Sequence, residues 1–584
     1  MTRSTECDQK TEDGPVIVVS EASAKEKILV EKVSSCESDV PIETIRLKKG
    51  VEYESESSVK RFFNSFRRSD VTDSLALQRK LKSRHIQMIA IGSTIGTGLW
   101  VGSGDSFAKG GAASVLINYI IVGTMILTTV YSLGELAVNY PVPGSYLSLS
   151  SQFVDRSWSF AMHWNYIFGS LVSTPLEIIT ACMCLTYWTS INSGIWITIF
   201  IAFFMFINIF GVKGYGEIEF FLSFIKVVSI IGFIILGIII DCGGIPTDHR
   251  GYIGTRIFES DAFIHGFRGF CAVFLNATYS YSGTECVGLA AAETEDPAKT
   301  FPKAVKQTVY RIALFYIVAL FIVSLLISGK DPRLVTLSGN MASPFILAVE
   351  DAGIKALPSI LNAIILISVL SAANAIFYTG SRAIHSAGVN GYGPKWFSYV
   401  DRSGRPLAAL ALLFLFCGLA YLSETNTNYS IFTWLMAVYG LGTLFSWGTI
   451  NLVHIRMRLA MKRQGVSTTN LIYASPFGIY GSYYSLIWVI LMFIAQLYVA
   501  IFPFGGKPNA SYFFQQYLSM PVIIIMFLVH KLWTKTPWLK LKNIDLDTGL
   551  NQSFNVPFEQ PQEKTKNEQE GFKRNLSRFL DFLC

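Results

Sequence analysis

Residues 89–104 read IAIGSTIGTGLWVGSG, and this stretch decides how the rest of the chain is interpreted. It is apolar enough for a bilayer, yet it contains five glycines with small hydroxyl residues between them. Because glycine is a poor helix former, the stretch predicts a transmembrane helix that is interrupted near its middle. Backbone groups freed at membrane depth need a partner, and a substrate can supply one. Close packing of a neighbouring helix on Gly92 and Gly96 is the alternative that this pattern leaves open.

The composition of the 584-residue chain indicates a polytopic membrane protein. Hydrophobic residues make up 51% of the chain and charged residues 15%, and the mean hydropathy is +0.41. These values exclude an ordinary soluble protein of this size. The net charge of +7 lies in loops and tails, so it bears on topology and we expect no nucleic-acid partner. The nine cysteines show no metal-ligand spacing, and we expect neither a metal nor an organic cofactor.

Both ends of the chain are polar. Residues 1–84 lack hydrophobic periodicity and predict a disordered tail, which ends in the basic run QRKLKSRH. Basic residues next to a membrane span favour the cytosolic side, so we expect this tail in the cytosol. Residues 535–584 predict a second cytosolic tail. Lysines in these tails are candidate acceptors for ubiquitin ligase machinery, as any disordered lysine would be.

The region between the tails, residues 85–534, predicts a transporter domain of about twelve membrane helices. The predicted helices 1 to 12 cover residues 86–107, 113–139, 158–187, 193–211, 217–240, 268–291, 308–328, 355–384, 407–422, 430–454, 482–503 and 514–533. The cytosolic loops would hold about fourteen Lys and Arg, including Arg456 and Arg458, against about eight outside. This bias supports an even number of helices, with both termini in the cytosol.

Predicted helix 6 is the second irregular helix. Its sequence AVFLNATYSYSGTECVGLAAAE, residues 272–293, places a run of polar residues and a glycine where apolar residues are expected. Interrupted helices at corresponding positions of two halves indicate an inverted-repeat transporter with its site at the midplane. The halves would be residues 86–240 and 268–454, and helices 11 and 12, residues 482–533, would be peripheral.

Six motifs then carry a family resemblance. They are RHIQMIAIGSTIGTGLWVGSG (84–104), GELAVNYPVPGSY (134–146), GVKGYGEIEFFLSFIKV (211–227), YSGTECVGLAAAETEDPAKTFPKAVKQTVYR (281–311), ILISVLSAANAIFY (365–378) and IDLDTG (544–549). In this order they resemble the fungal amino-acid permeases of the amino acid-polyamine-organocation superfamily, with the general amino-acid permease type nearest. The resemblance implies an all-α membrane protein with a five-plus-five inverted repeat (LeuT-like), broken helices 1 and 6, and proton-coupled import of L-amino acids across the plasma membrane.

The resemblance also implies a substrate site at the two breaks. Its predicted residues are Thr94, Ile95, Gly96, Thr97, Gly98, Tyr279, Ser280, Ser282, Gly283 and Tyr439. Backbone N–H groups at residues 96–98 would bind the carboxylate of an amino acid, and carbonyls at Thr94, Tyr279 and Ser282 would accept from its ammonium. Tyr279 lies where the family has an occluding aromatic residue, although an ordinary packed tyrosine fits the same position. Tyr439 replaces the small Ser or Thr of related permeases and predicts a reshaped side-chain pocket.

Two charged residues lie inside apolar helices. A lysine at the position of Lys226 costs about 2.5 to 3.5 kcal/mol on insertion scales, which makes it a functional hypothesis. Similar permeases keep a lysine where sodium-coupled relatives bind an ion, so the resemblance implies that the proton is the coupling ion. Snorkelling to the cytosolic side is the alternative. Glu177 would share the proton pathway or meet a cationic substrate side chain, with a structural hydrogen bond as the alternative.

Five more residues complete the predicted site. Glu285 would tether helix 6 to helix 7 or helix 2. Asn374 on helix 8 resembles residues beside the Lys226 region. We predict that both take part in proton coupling with Lys226 and Glu177. Glu135, Pro143 and Gly144 form a turn signature after helix 2, which predicts a gate or a packing corner.

The function predicted from the sequence is a secondary active amino-acid permease that works by alternating access. A non-transporting amino-acid sensor on the same fold is the rival hypothesis. The chain contains no HExxH, GxSxG or Walker motif, so we do not expect an enzyme. Which amino acids are carried stays open at this point.

Overall fold

The computed structural model describes residues 64–68, 81–92, 94–334, 343–425, 428–504 and 508–551, so most of the two predicted tails lies outside the described residues. Within these ranges the regular structure is helical, apart from two isolated β-bridges. Six of the described helices are long and apolar enough to span a membrane. One bent pair, two shorter apolar helices, a 37-residue helix and two broken helices bring the number to twelve, which confirms the predicted all-α membrane fold.

We number the twelve membrane helices in chain order. The unbroken ones are helix 2 (Ala112–Asn139), helix 3 (Arg156–Leu185), helix 4 (Ser193–Ile209), helix 5 (Gly211–Asp241), helix 8 (Leu357–Val389), helix 9 (Leu407–Cys417), helix 10 (Asn428–Gln464) and helix 11 (Gly478–Ile501). Helix 1 consists of helix 1a (Ser83–Gly92) and helix 1b (Thr97–Trp100 and Gly102–Gly110), and helix 6 of helix 6a (Gly266–Tyr281) and helix 6b (Cys286–Leu289). Helix 7 joins Pro297–Arg311 through a π-helical segment, Ile312–Val318, to Ala319–Leu326.

Helix 12 consists of two parts at an angle, whereas the sequence predicts one helix over residues 514–533. Its two parts, Ala510–Tyr517 and Ser519–Thr534, meet at an angle of 67°. Pro521 lies in the first turn of the second part. A proline has no N–H to donate and its ring clashes with the carbonyl four residues earlier, here that of Tyr517, so the first part ends there.

Two other predicted boundaries are wrong by about two turns or more. Helix 7 begins at Pro297 rather than at residue 308, because the Asp296 side chain accepts from the backbone N–H of Lys299 and caps a polar first turn. Helix 10 continues to Gln464 rather than ending at residue 454. Arg456 and Arg458 therefore lie on this helix and not in the loop to which the charge count assigned them.

The packing of the helices brings the two breaks together. Helix 1a packs on helix 5, helix 6a on helix 1b and helix 2, and helix 3 on helices 8 and 10. Gly98, in the first turn of helix 1b, lies where helix 1 and helix 6 approach closely next to the breaks, since a Cβ on Gly98 would lie 2.5 Å from the Cα of Ser280. Only glycine permits this approach, because the obstacle is backbone.

Candidate functional site

Both predicted breaks are present. Helix 1 is interrupted between Gly92 and Thr97, and helix 6 between Tyr281 and Cys286. Gly283 lies in the second break with φ +86°, a left-handed conformation that glycine adopts without strain. Gly96, at the end of the first break, is extended (φ −143°, ψ −152°) and caps helix 1b without a side-chain hydrogen bond. The first N–H groups of helix 1b therefore receive no hydrogen bond acceptor from the side chain of an N-cap residue.

A cavity of about 40 Å³ lies between the breaks. Ten of the predicted residues line it, namely Thr94, Gly96, Thr97, Gly98, Glu177, Tyr279, Ser282, Gly283, Glu285 and Tyr439. A water molecule needs at least about 10 to 15 Å³ by this measure, so the space fits a few waters and is smaller than an amino acid. A substrate therefore requires the surrounding helices to move apart from this arrangement.

Glu177 joins the two breaks. Its Oε2 accepts a hydrogen bond from Thr97 Oγ1 at 2.6 Å, and its Oε1 accepts one from the Tyr279 hydroxyl at 3.0 Å. Thr97 begins helix 1b and Tyr279 belongs to the last turn of helix 6a. One carboxyl group on helix 3 thus connects the ends of both broken helices at the cavity wall. Tyr279 also packs edge-on against Tyr439, with ring centroids 5.8 Å apart.

Helix 7 contacts both broken helices through the Tyr316 hydroxyl. The Tyr316 hydroxyl lies 2.9 Å from the carbonyl oxygen of Thr94 and 2.8 Å from that of Ser280, one from each broken helix. The carbonyl of Tyr279 accepts from Ser282 Oγ at 2.7 Å. It also accepts from the backbone N–H of Ser282 at 3.2 Å. Two of the three carbonyls predicted for the substrate ammonium, those of Thr94 and Tyr279, therefore already accept hydrogen bonds within the protein. A carbonyl oxygen has two lone pairs, so an ammonium at the Tyr279 carbonyl has to displace one of these two bonds.

Two of the predicted substrate residues do not line the cavity. Ile95 is fully buried in the apolar core rather than at the cavity. The Ser280 side chain faces helix 2, where its Oγ is 2.7 Å from the Tyr119 hydroxyl. Successive helical side chains point about 100° apart, so neighbours of lining residues face other helices.

Lys226 is buried beside helix 1a instead of snorkelling out of the bundle. Its Nζ donates to the carbonyl oxygen of Gly92 at 2.7 Å, and the side chain is 0% exposed. Gly92 ends helix 1a, where the negative end of the helix dipole favours a cation. Asn374 is also buried, and its amide N and O have no hydrogen-bond partner within the described part of the chain.

The tether made by Glu285 differs from the expected one. Its Oε2 accepts from Trp447 Nε1 on helix 10 at 3.2 Å, rather than from helix 7 or helix 2. Glu285 lies in the break itself, where the chain turns its side chain toward the cavity and helix 10. The sequence could not show this direction because it depends on how the break is wound.

The predicted gate or packing residues at the end of helix 2 and in the turn after it make packing contacts. Glu135 is fully buried and accepts at 2.6 Å from both Arg458 Nη2 on helix 10 and the backbone N–H of Ser475. Gly144 has φ +80°, and a Cβ there would lie 2.0 Å from Ser386 Oγ on helix 8. The carbonyl of Pro143 accepts from Ser148 Oγ at 2.6 Å. These contacts lie outside the cavity lining and join helices 2, 8 and 10.

Several polar residues of the site were missed by the sequence interpretation. The cavity is also lined by Asn165, Ser170, Thr379, Thr443 and Ser446. Arg311 on helix 7 is buried and donates to the carbonyl of Ala90 in helix 1a and to Thr284 Oγ1 in the helix 6 break. Glu219 on helix 5 is buried as well. Its spacing of seven residues from Lys226, two turns on one helix face, is a signal that could have revealed it.

The fold and the site together define a class of protein. Two broken helices around a central cavity in a twelve-helix bundle are the architecture of inverted-repeat secondary transporters. A solved manganese transporter of Eremococcus coleocola is similar in fold, with a TM-score of 0.50 at 12% identity, covering 80% of this chain and 98% of that chain.

The sequence comparison gives the family. The profile described as "Amino acid permease" matches residues 85–543, and the chain belongs to this family of multi-pass membrane transporters. An uncharacterized amino-acid permease of Schizosaccharomyces pombe is 58% identical over 91% of each chain. Cationic amino acid transporter 1 of the same organism is 48% identical over 91% of each chain. Amino-acid permease GAP3 of Candida albicans is 46% identical over 86% of this chain and 84% of the relative. The resemblance stated from the motifs is thereby confirmed, and the protein is a permease in class.

Proposed function

We propose that this permease takes up L-amino acids across the plasma membrane together with protons, by alternating access at the cavity between the two breaks. The observation that supports this most directly is the Glu177 bridge between Thr97 and Tyr279. A titratable group that holds both broken helices can change its hold when a proton or a substrate arrives. Such a link between occupancy and helix position is what a coupled carrier requires.

The substrate class follows from the two kinds of backbone group at the breaks. An amino acid presents a carboxylate and an ammonium. The uncapped start of helix 1b offers N–H donors and a positive helix end to the carboxylate. The carbonyls proposed for the ammonium are those of Thr94, Tyr279 and Ser282, and that of Tyr279 exchanges one of its two hydrogen bonds from Ser282 to accept it. The names of the relatives, which include a cationic amino acid transporter, support amino acids as substrates.

The coupling ion in this proposal is the proton, without a metal or an organic cofactor. Lys226 binds the end of helix 1a through Gly92 and has no carboxylate within 4 Å among the described ion pairs. A buried amine in this position already supplies the positive charge that a bound metal cation would bring. Glu177 and Glu285 are acids that line the cavity.

The contact with lipid and the cytosolic position of the termini are proposed from the exposure of side chains and from the distribution of charge. Leu532 and Trp533 on helix 12 are 75% and 86% exposed, which suits contact with lipid. The basic residues of the predicted cytosolic segments support cytosolic termini in a plasma-membrane protein. Ubiquitin ligase machinery acting on tail lysines belongs to the same proposal, and a nucleic-acid partner does not.

Uptake of labelled L-leucine and L-lysine into cells that lack their own permeases tests the function. We expect accumulation that a protonophore abolishes. Accumulation that is insensitive to the protonophore would contradict proton coupling. Binding and signalling without uptake would favour the amino-acid sensor instead. Lys226→Met should remove accumulation while the protein stays at the cell surface, and Lys355→Met, on the exposed loop before helix 8, serves as the matched control.

A further inference from the structure

A second buried charged group lies on the same face of helix 5 as Lys226. Glu219 is 0% exposed and precedes Lys226 by seven residues. Seven residues are close to two helical turns, so both side chains point in one direction and their Cα atoms are about 10 Å apart along the axis. Both side chains are long enough to reach toward each other. Glu219 does not line the cavity.

Glu219 is held by hydroxyl groups. Ser371 Oγ on helix 8 lies 2.7 and 2.9 Å from its two carboxyl oxygens. Ser223 Oγ lies 3.3 Å from Oε1 and 3.2 Å from the carbonyl oxygen of Met88 in helix 1a. Among the ion pairs of the described residues, none involves Glu219. A buried carboxylate without a cation in contact is expensive, so such a group readily takes up a proton.

Gly92 lies between the two charged groups. Lys226 Nζ donates to its carbonyl oxygen at 2.7 Å. On the other side, a Cβ on Gly92 would lie 3.0 Å from Glu219 Oε1 and 1.7 Å from Ser223 Oγ. The residue that ends helix 1a is therefore flanked by the amine and the carboxyl group at once. Any change in the protonation of either group acts on the edge of the first break.

We propose that Glu219 and Lys226 form one proton-binding pair on the two sides of Gly92, and that Glu219 binds the coupling proton during one half of the transport cycle. This inference rests on the proposed function and deepens it. With Lys226 as ammonium and Glu219 as carboxylate, the pair is neutral. An incoming proton forms an O–H bond on Glu219 and gives the pair a charge of +1. Release of that proton on the other side breaks the O–H bond and restores the carboxylate.

Protonation changes what Glu219 can bind. The carboxylate only accepts hydrogen bonds, whereas the acid also donates one. The hydroxyl of Ser223, which lies between Glu219 and the Met88 carbonyl, can then turn its hydrogen wholly to that carbonyl. The proton thus alters the hold of helix 5 on helix 1a without a substrate contact.

The groups that act on this pair are few. Lys226 and Tyr215 interact electrostatically with Glu219 from its own helix, and Cys286 does so from helix 6b. Glu177 on helix 3 interacts with Lys226. Helix 1a faces the pair with backbone groups and helix 8 with Ser371. Lys226 therefore interacts both with Glu219 and with the carboxyl group that bridges the two breaks.

Purified protein in liposomes separates this inference from the proposed function. One assay measures accumulation of labelled L-leucine and L-lysine driven by an imposed pH gradient, and the other measures counterflow exchange at equal pH. For Glu219→Gln we expect pH-driven accumulation to fall at least about tenfold, while exchange stays within about twofold of wild type. Glu219→Asp, which keeps a titratable carboxyl group, should retain more accumulation than Glu219→Gln.

The control is Glu217→Gln, two residues away on the same helix and 45% exposed, which should behave like wild type in both assays. Wild-type accumulation by Glu219→Gln would overturn the inference. A parallel loss of both activities that Glu219→Asp does not relieve would also overturn it, since it would show a structural role. If the wild-type protein itself ignores the pH gradient, proton coupling fails before any variant is compared, and the inference fails with it.

Discussion

Replacing Glu177 by glutamine tests the bridge between the two breaks. The carboxyl group accepts from Thr97 Oγ1 at 2.6 Å and from the Tyr279 hydroxyl at 3.0 Å. Hydrogen bonds to a charged group contribute about 1.5 to 3 kcal/mol, and neutral ones about 0.5 to 1.5 kcal/mol. Glu177→Gln keeps the shape but makes both bonds neutral, so the loss is about 1 kcal/mol for each. A total of about 2 kcal/mol corresponds to a factor of about 30.

We expect the apparent KM to rise by this factor, because the binding-competent arrangement of the breaks becomes less populated. The assay is counterflow exchange in liposomes, which needs no pH gradient, with the amount of protein in the membrane measured in parallel. Tyr279→Phe removes one of the two bonds. In a double-mutant cycle, Glu177→Gln and Tyr279→Phe should therefore show a coupling energy of about 1 kcal/mol. An unchanged KM for Glu177→Gln, or strictly additive effects in the cycle, would refute the bridge.

Three further predictions follow from other contacts. Gly98→Ala forces a Cβ to 2.5 Å from the helix 6a backbone, and overpacking of this kind costs about 1 to 3 kcal/mol, so uptake should fall by the corresponding factor. Gly102→Ala is the control, because its Cβ would have its nearest neighbour at 3.8 Å and transport should be normal. Equal uptake by the two variants would count against the close approach of the breaks. Tyr316→Phe removes the hydroxyl that reaches both breaks and should slow exchange two- to tenfold, at about 0.5 to 1.5 kcal/mol, and a wild-type exchange rate would show that helix 7 does not hold them. In the loop after helix 5, hydrogen bonds from Arg250 lower the pKa of Asp248 below its usual 3.8. This contact therefore stabilises the fold above about pH 4, and the stabilisation is lost as the pH falls through the lowered pKa. The Tm of Asp248→Asn should depend less on pH below about 4 than the Tm of wild type, and parallel curves of Tm against pH would contradict the assignment.

Much of the fold could be predicted because membrane helices need long apolar runs. The first break could be predicted too, since several glycines in one apolar run weaken a helix wherever it lies. The helix boundaries that were predicted wrongly are ones that a single residue determines. Pro521 bends helix 12, and the Asp296 cap adds a polar turn to helix 7. Neither effect shows in hydropathy, although both residues are visible in the sequence.

The site could be predicted only where its position follows from the breaks. Gly96, Thr97 and Gly98 line the cavity because the first break itself forms its wall. Contacts between distant helices could not be predicted in this way. Glu285 meets Trp447 rather than helix 7 or helix 2 because the direction of a side chain in an unwound segment depends on its backbone. The domain boundaries and the substrate assignments stay predictions.

The central claim is that backbone N–H and C=O groups at the two breaks bind the carboxylate and the ammonium of an amino acid. Competition against labelled L-leucine uptake tests it most directly, with L-leucine methyl ester, N-acetyl-L-leucine and unlabelled L-leucine as competitors. The ester lacks the carboxylate and the acetyl derivative lacks the ammonium, while both keep the side chain. We predict that only unlabelled L-leucine competes well. Equal competition by either derivative would contradict recognition of the zwitterion by the breaks.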